Sequence, residues 1–465
     1  MGSAGLKKAR EKMLAAGVDE VAIETFAHYY RLLEHGETGM IPESTIDPVD
    51  MESLADVEVP DEVGAEALRT TAVIKLNGGL GTSMGMDRAK SLLCVRRGLS
   101  FLDIIARQVL HLRKQHGATL PLIFMNSFRT SADTMAALAR YEDLAVEGLP
   151  LEFLQNKEPK LLLSDLSPVA WPRDPDLEWC PPGHGDLYTA LRGTGLLDRL
   201  VEAGYERVFV SNSDNLGAVP DPVVAGWFAR SGAPFAIEAV RRTPSDRKGG
   251  HFARRKSDGR IVLRETAQTL DEDKAALADL DRHRFCSTNN LWFDLRAMKE
   301  ALDVREGILG LPMIRNVKNV DPGDKSSPEV VQVETAMGAA IEVFEGSTLI
   351  EVGRDRFVPV KTTNDLLVLR SDVYDIGQDF VLDQVASGIP FVDLDPEHYK
   401  LVGEFDKRFP EGAPSMREAS SLRVNGDWTF CKGVSVVGDV ELDGASNGRV
   451  DAGTVLGDPA ASSDG

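Results

Sequence analysis

The stretch that most limits what this chain can fold into runs Ala72-Val73-Ile74-Lys75-Leu76-Asn77-Gly78-Gly79-Leu80-Gly81-Thr82-Ser83-Met84-Gly85 and closes on Lys90-Ser91. An apolar run with β-branched residues stops abruptly in a glycine-rich loop, and a lysine follows shortly after the last glycine. The run reads as a buried parallel strand. The loop reads as a place where the backbone comes close to a ligand, because glycine has no Cβ and tolerates positive φ. Exposed N–H groups in such a loop can cradle phosphate oxygens. Spacing excludes two familiar phosphate loops. The pattern GxxxxGK[ST] needs a glycine before the lysine, where Ala89 stands. The pattern GxGxxG needs a glycine at Met84, and Gly85 comes one residue late.

Strands and helical stretches alternate downstream of this loop. Ser100 and Asp103 form a capping-box start, and Leu102, Ile105, Val109 and Leu112 define an apolar stripe that ends near Gly117. Pro121 to Met125, Leu151 to Leu154 and Val208 to Val210 read as further strands. Such alternation implies right-handed βαβ units and a mostly parallel α/β sheet, with ligands beyond the carboxyl ends of its strands. At 465 residues two to three domains are expected. Residues 1–60 read as a helical appendage and connector, with Ile23, Phe26, Tyr30 and Leu33 on one face. Residues 61–374 read as the main α/β unit, and residues 375–465 as a separate C-terminal unit. There Val424-Asn425-Gly426-Asp427 recurs as Val436-Val437-Gly438-Asp439, and short strands with glycine turns at that period suggest a small left-handed β-helix rather than a pair of hairpins. From Ala452 the chain turns small and acidic and is expected to fray.

The net charge of −21 disfavours a nucleic-acid or anionic-membrane binder, though it leaves room for a local basic pocket. Cys94, Cys180, Cys286 and Cys431 are scattered, with no CxxC and no zinc spacing, which fits free thiols in a reducing cytoplasm. No apolar run reaches signal-peptide or membrane-span character, so a cytoplasmic protein is expected.

Further stretches carry chemistry. Pro181-Pro182-Gly183-His184-Gly185-Asp186 is a rigid loop with one histidine between glycines, readable as a ligand-packing loop or as a tight turn before a helix. Ser211-Asn212-Ser213-Asp214-Asn215 follows an apolar strand. Mg²⁺ on a polyphosphate needs only one or two protein carboxylates, so Asp214 suffices as a protein ligand; an Asx turn is the plainer alternative. Lys248-Gly249-Gly250, Glu265 and Thr288-Asn289-Asn290 offer donors and acceptors for a polar substrate such as a sugar. Phe357-Val358-Pro359-Val360-Lys361-Thr362-Thr363 places a lysine at a strand end, where it is either solvated surface or, with Lys90, positive charge for a polyphosphate.

Taken in order, these motifs resemble the eukaryotic-type UTP–glucose-1-phosphate uridylyltransferases, or UDP-glucose pyrophosphorylases. The resemblance runs from about Val73 to Tyr374. It includes Lys75 to Gly85, Met125-Asn126-Ser127-Phe128, Pro181 to Asp186, Val210 to Asn215, Thr288-Asn289-Asn290-Leu291-Trp292, Glu334-Thr335-Ala336 with Gly338-Ala339-Ala340, and Val360-Lys361-Thr362-Thr363. It implies a Rossmann-like, GT-A-like mixed sheet with a C-terminal left-handed β-helix. It also implies transfer of uridylyl from UTP to glucose-1-phosphate with Mg²⁺.

By the resemblance, Leu76, Asn77, Gly78 and Gly79 contact UTP, Gln155 and the backbone at Gly183 meet the base, and His184 faces the glucose phosphate. Asn212, Ser213 and Asp214 bind ligand with Asp214 on the metal, Asn289 holds the sugar, and Lys361 is the catalytic lysine beside Lys90. Gly78, Gly79 and Asn212 serve both substrates, and Gly250 and Glu265 are weaker sugar candidates. Asp87-Arg88-Ala89 departs from the family's lysine-glycine-proline, and Ser213 replaces an apolar residue. A UDP-N-acetylhexosamine or broad UDP-sugar pyrophosphorylase is the sibling alternative, and a non-catalytic nucleotide-sugar sensor a more distant one. The chain is expected to be a monomer or small oligomer.

Overall fold

Eight strands of the computed structural model, which describes residues 4–457, form a central sheet. They are β1 (Glu52–Ser53), β2 (Thr71–Asn77), β3 (Leu122–Asn126), β4 (Glu152–Leu154), β5 (Arg207–Asn212), β6 (Phe235–Arg241), β7 (Phe285–Asp294) and β8 (Thr348–Glu351). Their order is β1-β8-β6-β7-β5-β2-β3-β4. Neighbours are parallel throughout, except that β7 runs against both β5 and β6. A parallel return needs a crossover, usually a helix. The chain between β6 and β7 instead holds a hairpin, His251–Arg255 with Ile261–Arg264, and β7 comes back antiparallel. The sheet is mostly parallel, as the alternation of strands and helices predicts, and the one reversed strand makes it the mixed sheet that the resemblance implies.

Both faces of the sheet are buried, which is why its strands read as continuous apolar runs. Along β2, Val73 packs in one core while Ala72 and Ile74 pack in the other. Along β5, Phe209 faces the first core and Val208 and Val210 the second. This strict alternation defines which side chains share a face near the site.

Helices α1 (Ala4–Ala15) and α2 (Glu20–Glu34) precede the sheet. Ile23, Phe26 and Tyr30 bury the expected face, against Leu161 and the apolar side of α1. Helix α3 (Phe101–His116) starts on the reciprocal Ser100–Asp103 capping box and stops at Gly117 in the left-handed conformation, and it links β2 to β3 as a βαβ unit. Helix α4 (Asp186–Gly193) follows the His184 loop.

Towards the C-terminus, β9 (Phe391–Leu394), β10 (Ser415–Phe430), β11 (Ser435–Val450) and β12 (Val455–Leu456) pair in sequence order, all parallel. Only residues 431–434 and 451–454 separate the last three. Links so short cannot form crossovers. The long strands therefore bend through their register shifts and make the circuit themselves. Ser415 pairs with Ser435 and Ser435 with Val455, whereas Val424 pairs with Leu442. The two sequence copies beginning at Val424 and Val436 do not stack on each other. One buried cluster runs from Val73 and Phe209 through Leu366 and Tyr374 to Leu422, Phe430 and Val450, so these strands pack onto the rest of the molecule. Among the described residues no helix is long and apolar enough to cross a membrane.

Candidate active site

A cleft of about 300 Å³ opens at the carboxyl ends of β2, β3 and β5. Leu76, Gly78, Gly79, Lys90, Gln155, Gly183, His184, Asn212, Ser213 and Asp214 line it, so ten residues singled out in the sequence come together. A larger cavity of about 960 Å³ lies elsewhere, between α2 and the residues 255–260. The smaller cleft is the functional candidate because the glycine loop, an acid, a lysine and a histidine converge there.

The glycine loop is tightly built. A Cβ at Gly78 would meet the Gln155 side chain at 2.6 Å. Beyond it the chain turns through Thr82–Met84, flanked by Gly81 and Gly85 in the left-handed region, and the Lys90 N–H donates to the Gly79 carbonyl at 3.1 Å. That turn brings the Lys90 side chain back to the cleft. Its Nζ donates to Asp214 Oδ2 at 2.6 Å and to the Val360 carbonyl. Asp214 Oδ1 takes no hydrogen bond among the described residues, and one free carboxylate oxygen beside a phosphate-type loop fits a Mg²⁺ ion that keeps waters and phosphates as its other ligands.

The His184 loop lies against the strand Glu329–Thr335. Thr335 N–H donates to the Pro182 carbonyl at 2.9 Å and Gly185 N–H to the Thr335 carbonyl at 2.8 Å. Gly183 has φ +81°, and a Cβ there would sit 2.6 Å from the Thr335 carbonyl. His184 Nδ1 accepts the Met337 N–H at 3.0 Å, which places the ring proton on Nε2. His184 is exposed at the cleft, and desolvation by the surrounding protein lowers its pKa to about 4. The imidazole is therefore neutral near pH 7. Two residues on, the Asp186 carboxylate accepts the Asn156 N–H at 2.6 Å and its Nδ2–H at 2.8 Å, anchoring the segment next to Gln155. Burial pushes the Asp186 pKa up to about 7 against the pull of those bonds.

Five residues singled out in the sequence do not line this cleft. Asn77 does not present its side chain to the cleft. Its Nδ2 donates to Asn126 Oδ1 at 2.8 Å and to Thr134 Oγ1 at 2.9 Å, and its Oδ1 accepts from Ser213 at 2.9 Å, so it braces the floor from below. Lys361 follows Val360, the residue that Lys90 grips, but its exposed side chain lies along a neighbouring cleft of about 420 Å³, shared with Asp246, Arg354, Asn364 and Phe391 of β9. Gly250, Glu265 and Asn289 also stand outside the glycine-loop cleft. Gly250 abuts Glu265, where a Cβ would meet Oε2 at 2.7 Å, and burial raises the Glu265 pKa while the Lys361 charge opposes the rise. Asn289 is held at φ +59° with its N–H on Ser287 Oγ.

Sequence reading missed a buried polar layer beneath the floor. Lys75, Ser211, Glu238, Asn290 and Trp292 share the face of the sheet that carries Val73 and Phe209. Lys75 Nζ donates to Ser211 Oγ at 2.7 Å and to the Ala218 carbonyl at 2.6 Å. The available signal was a charge inside an apolar strand, as in Ile74-Lys75-Leu76 and Ile237-Glu238-Ala239. Away from the cleft, Glu43, His251 and His283 place possible metal-ligating atoms within 4.8 Å of one another. The two imidazoles stack at 3.7 Å and Glu43 already holds Arg264, Arg282 and His283, an arrangement that does not aim three lone pairs at one ion.

A glycine-rich loop facing a single carboxylate across parallel strands places the molecule among the nucleotidyltransferases. The chain belongs to the UTP–glucose-1-phosphate uridylyltransferase family, whose profile matches residues 23–437. It is an enzyme of that family. It is 38% identical to a UTP–glucose-1-phosphate uridylyltransferase of Hordeum vulgare over 80% of this chain and 76% of that one. It resembles a variant of UDP-glucose pyrophosphorylase from Leishmania major in complex with UDP-glucose at 44% identity and a TM-score of 0.91, over 98% of both chains. Open and closed structures of the Leishmania major enzyme match at 42% identity and a TM-score of 0.91, again over 98% of both chains.

Proposed function

We propose that this enzyme transfers uridylyl from UTP to glucose-1-phosphate, giving UDP-glucose and pyrophosphate, and that Asp214 holds the Mg²⁺ that accompanies UTP. The observation that carries this reading is the convergence of Lys90, Asp214 and the Val360 carbonyl on the glycine loop. Such a metal, when bound, supplies positive charge to the phosphates.

The remaining work falls to the chain. Backbone N–H groups of Gly78 and Gly79 receive UTP phosphates, Gln155 and Gly183 meet the base, and neutral His184 donates from Nε2 to the glucose phosphate. A phosphate oxygen of glucose-1-phosphate attacks the α-phosphorus in line. The bond from the α-phosphorus to the bridging oxygen breaks, and pyrophosphate leaves. The attacking oxygen is already anionic, so no general base and no covalent enzyme intermediate are required. The barrier is repulsion between polyanions, which positioning and fixed positive charge lower. Lys90 sits in the cleft for this purpose.

Lys361 would join it when the segment after Arg356 closes over bound substrate. That a relative adopts open and closed forms supports this. Gly250, Glu265 and Asn289 would then form the sugar side. The C-terminal strands would be a coil of left-handed β-helix, in keeping with their short parallel links.

Purified protein incubated with UTP, a panel of sugar-1-phosphates and a divalent metal, with pyrophosphate release as readout, tests this. Preference for glucose-1-phosphate and loss of turnover in excess chelator are expected. Undiminished turnover in chelator, or a preference for N-acetylated sugars, would overturn it.

A further inference from the structure

Glu238 is a fully buried carboxylate in the middle of an apolar strand, and both its oxygens are used. Oε2 accepts from Arg356 Nε at 2.7 Å and Asn290 Nδ2 at 2.9 Å. Oε1 accepts from Arg356 Nη2 at 2.7 Å and Trp292 Nε1 at 2.9 Å. The buried Arg356 also donates from Nη2 to the Val219 carbonyl at 3.0 Å. Neither residue lines the glycine-loop cleft.

The bonds that leave this pair lead to three parts of the site. The Arg356 carbonyl accepts Asn215 Nδ2 at 3.1 Å and Asn290 Nδ2 at 3.3 Å. Asn215 Oδ1 in turn accepts the Val358 N–H at 2.9 Å, and the Val360 N–H reaches the Asp214 carbonyl at 3.2 Å. Asn215 adjoins Asp214, Val358 and Val360 precede Lys361, and Asn290 adjoins Asn289. Asp214 and Asn215 lie in the turn after β5, Asn289 and Asn290 on β7, and Lys361 on the segment after β8. The backbone pairs β5 with β7 and bridges Asn215 to Pro359, and the Glu238–Arg356 bonds add the side-chain links that join all three.

A buried ion pair is a poor source of stability, since apolar replacements of similar size are often neutral or better. A bidentate pair does fix geometry. We propose that Glu238 and Arg356 are positioning residues of the transfer reaction: they hold the root of the Lys361 segment against the Asp214 turn and align the Asn289 side with both. The proposal rests on the reading of Lys361 and Asp214 given above.

The test is a double-mutant cycle with kinetics and melting. Glu238→Leu with Arg356→Met removes both charges together and leaves neither one buried alone. This paired replacement is expected to melt within a few degrees of the parent. Its kcat should fall about a hundredfold, the scale of a misplacement of order 1 Å, while KM for UTP stays within about threefold by the same argument. In a Lys361→Ala background the same replacement should cost about tenfold less in kcat than in the parent, because the part of the loss that acts through Lys361 is already gone and residues acting as a unit are strongly non-additive. Arg356→Lys keeps the charge but not the fork, and should fall between.

Equal losses with and without Lys361 would mean general loosening and would overturn the proposal, as would an unchanged kcat. If the paired replacement does not fold, Arg356→Lys run through the same cycle decides on the same criterion. If Lys361→Ala alone leaves kcat intact, the role given to Lys361 fails and the positioning proposal falls with it. A large Lys361→Ala loss with additive losses from the Glu238 and Arg356 replacement overturns the positioning alone.

Discussion

Replacing Lys75 by methionine isolates the cost of a charge buried under the floor of the cleft. The lysine is 1% exposed. Burial lowers its pKa from 10.5 to about 7, with the Arg356 charge adding to the fall and Glu238 opposing it. Because the folded pKa lies below the unfolded one, the cost is fully present below pH 7 and disappears as pH rises towards 10.5. Between pH 7 and 9.5 the unfolded chain holds a proton that the folded chain gives up, and relative stability rises by about 3 kcal/mol. A chain of 465 residues that melts cooperatively has an unfolding entropy of about 1 kcal/mol/K, so this is about 3 °C in Tm.

Methionine keeps the length and removes the titration. It also loses the bonds to Ser211 and Ala218, at about 1–3 kcal/mol each. The absolute Tm of Lys75→Met is therefore a poor readout, and the pH dependence of the difference is the sharp one. Melting of both proteins by calorimetry from pH 7 to 9.5 should show the parent gaining about 3 °C on the variant, by the same linkage. Parallel curves would show that Lys75 does not carry a strongly depressed pKa, and the account of the buried layer would fail.

His184→Ala is expected to raise KM for glucose-1-phosphate about tenfold, the loss of roughly one hydrogen bond to a charged group, with KM for UTP unchanged. The pKa of about 4 for His184 means the parent's KM should be flat from pH 6 to 8 as far as this ring is concerned, and a change confined to the UTP constant would contradict its placement. Light scattering at micromolar concentration should give a monomer or small oligomer, since Val455–Leu456, the last strand among the described residues, is short and the net charge is −21. A stable octamer that breaks when residues after Leu456 are deleted would refute this. The stretch from Asp458 to Gly465, on which the expected fraying rests in part, lies outside the described residues.

What the sequence determined by itself is what is local. The β-branched run before Gly78, the capping box at Ser100 and Asp103, the stop at Gly117 and the glycines around His184 each depend on sterics and hydrogen bonds within a few residues, and each is where the sequence places it. The glycine loop and Asn212 to Asp214 were legible as one site because they stand at the carboxyl ends of parallel strands, where such sheets gather ligands, whereas Gln155, Gly183 and His184 joined them only through the family resemblance. Tertiary structure decided the rest. A motif residue such as Asn77 could point up to a ligand or down to Asn126 and Thr134, and only the neighbouring strand and helix supply the partners that turn it down. The reversal of β7 depends on what fills residues 242–284, and the C-terminal circuit on where Ser435 finds its register partners. Glu238 is visible in the sequence only as a charge out of place. Its partner Arg356 lies far along the chain, and a buried carboxylate is satisfied by whichever donors the fold carries to it.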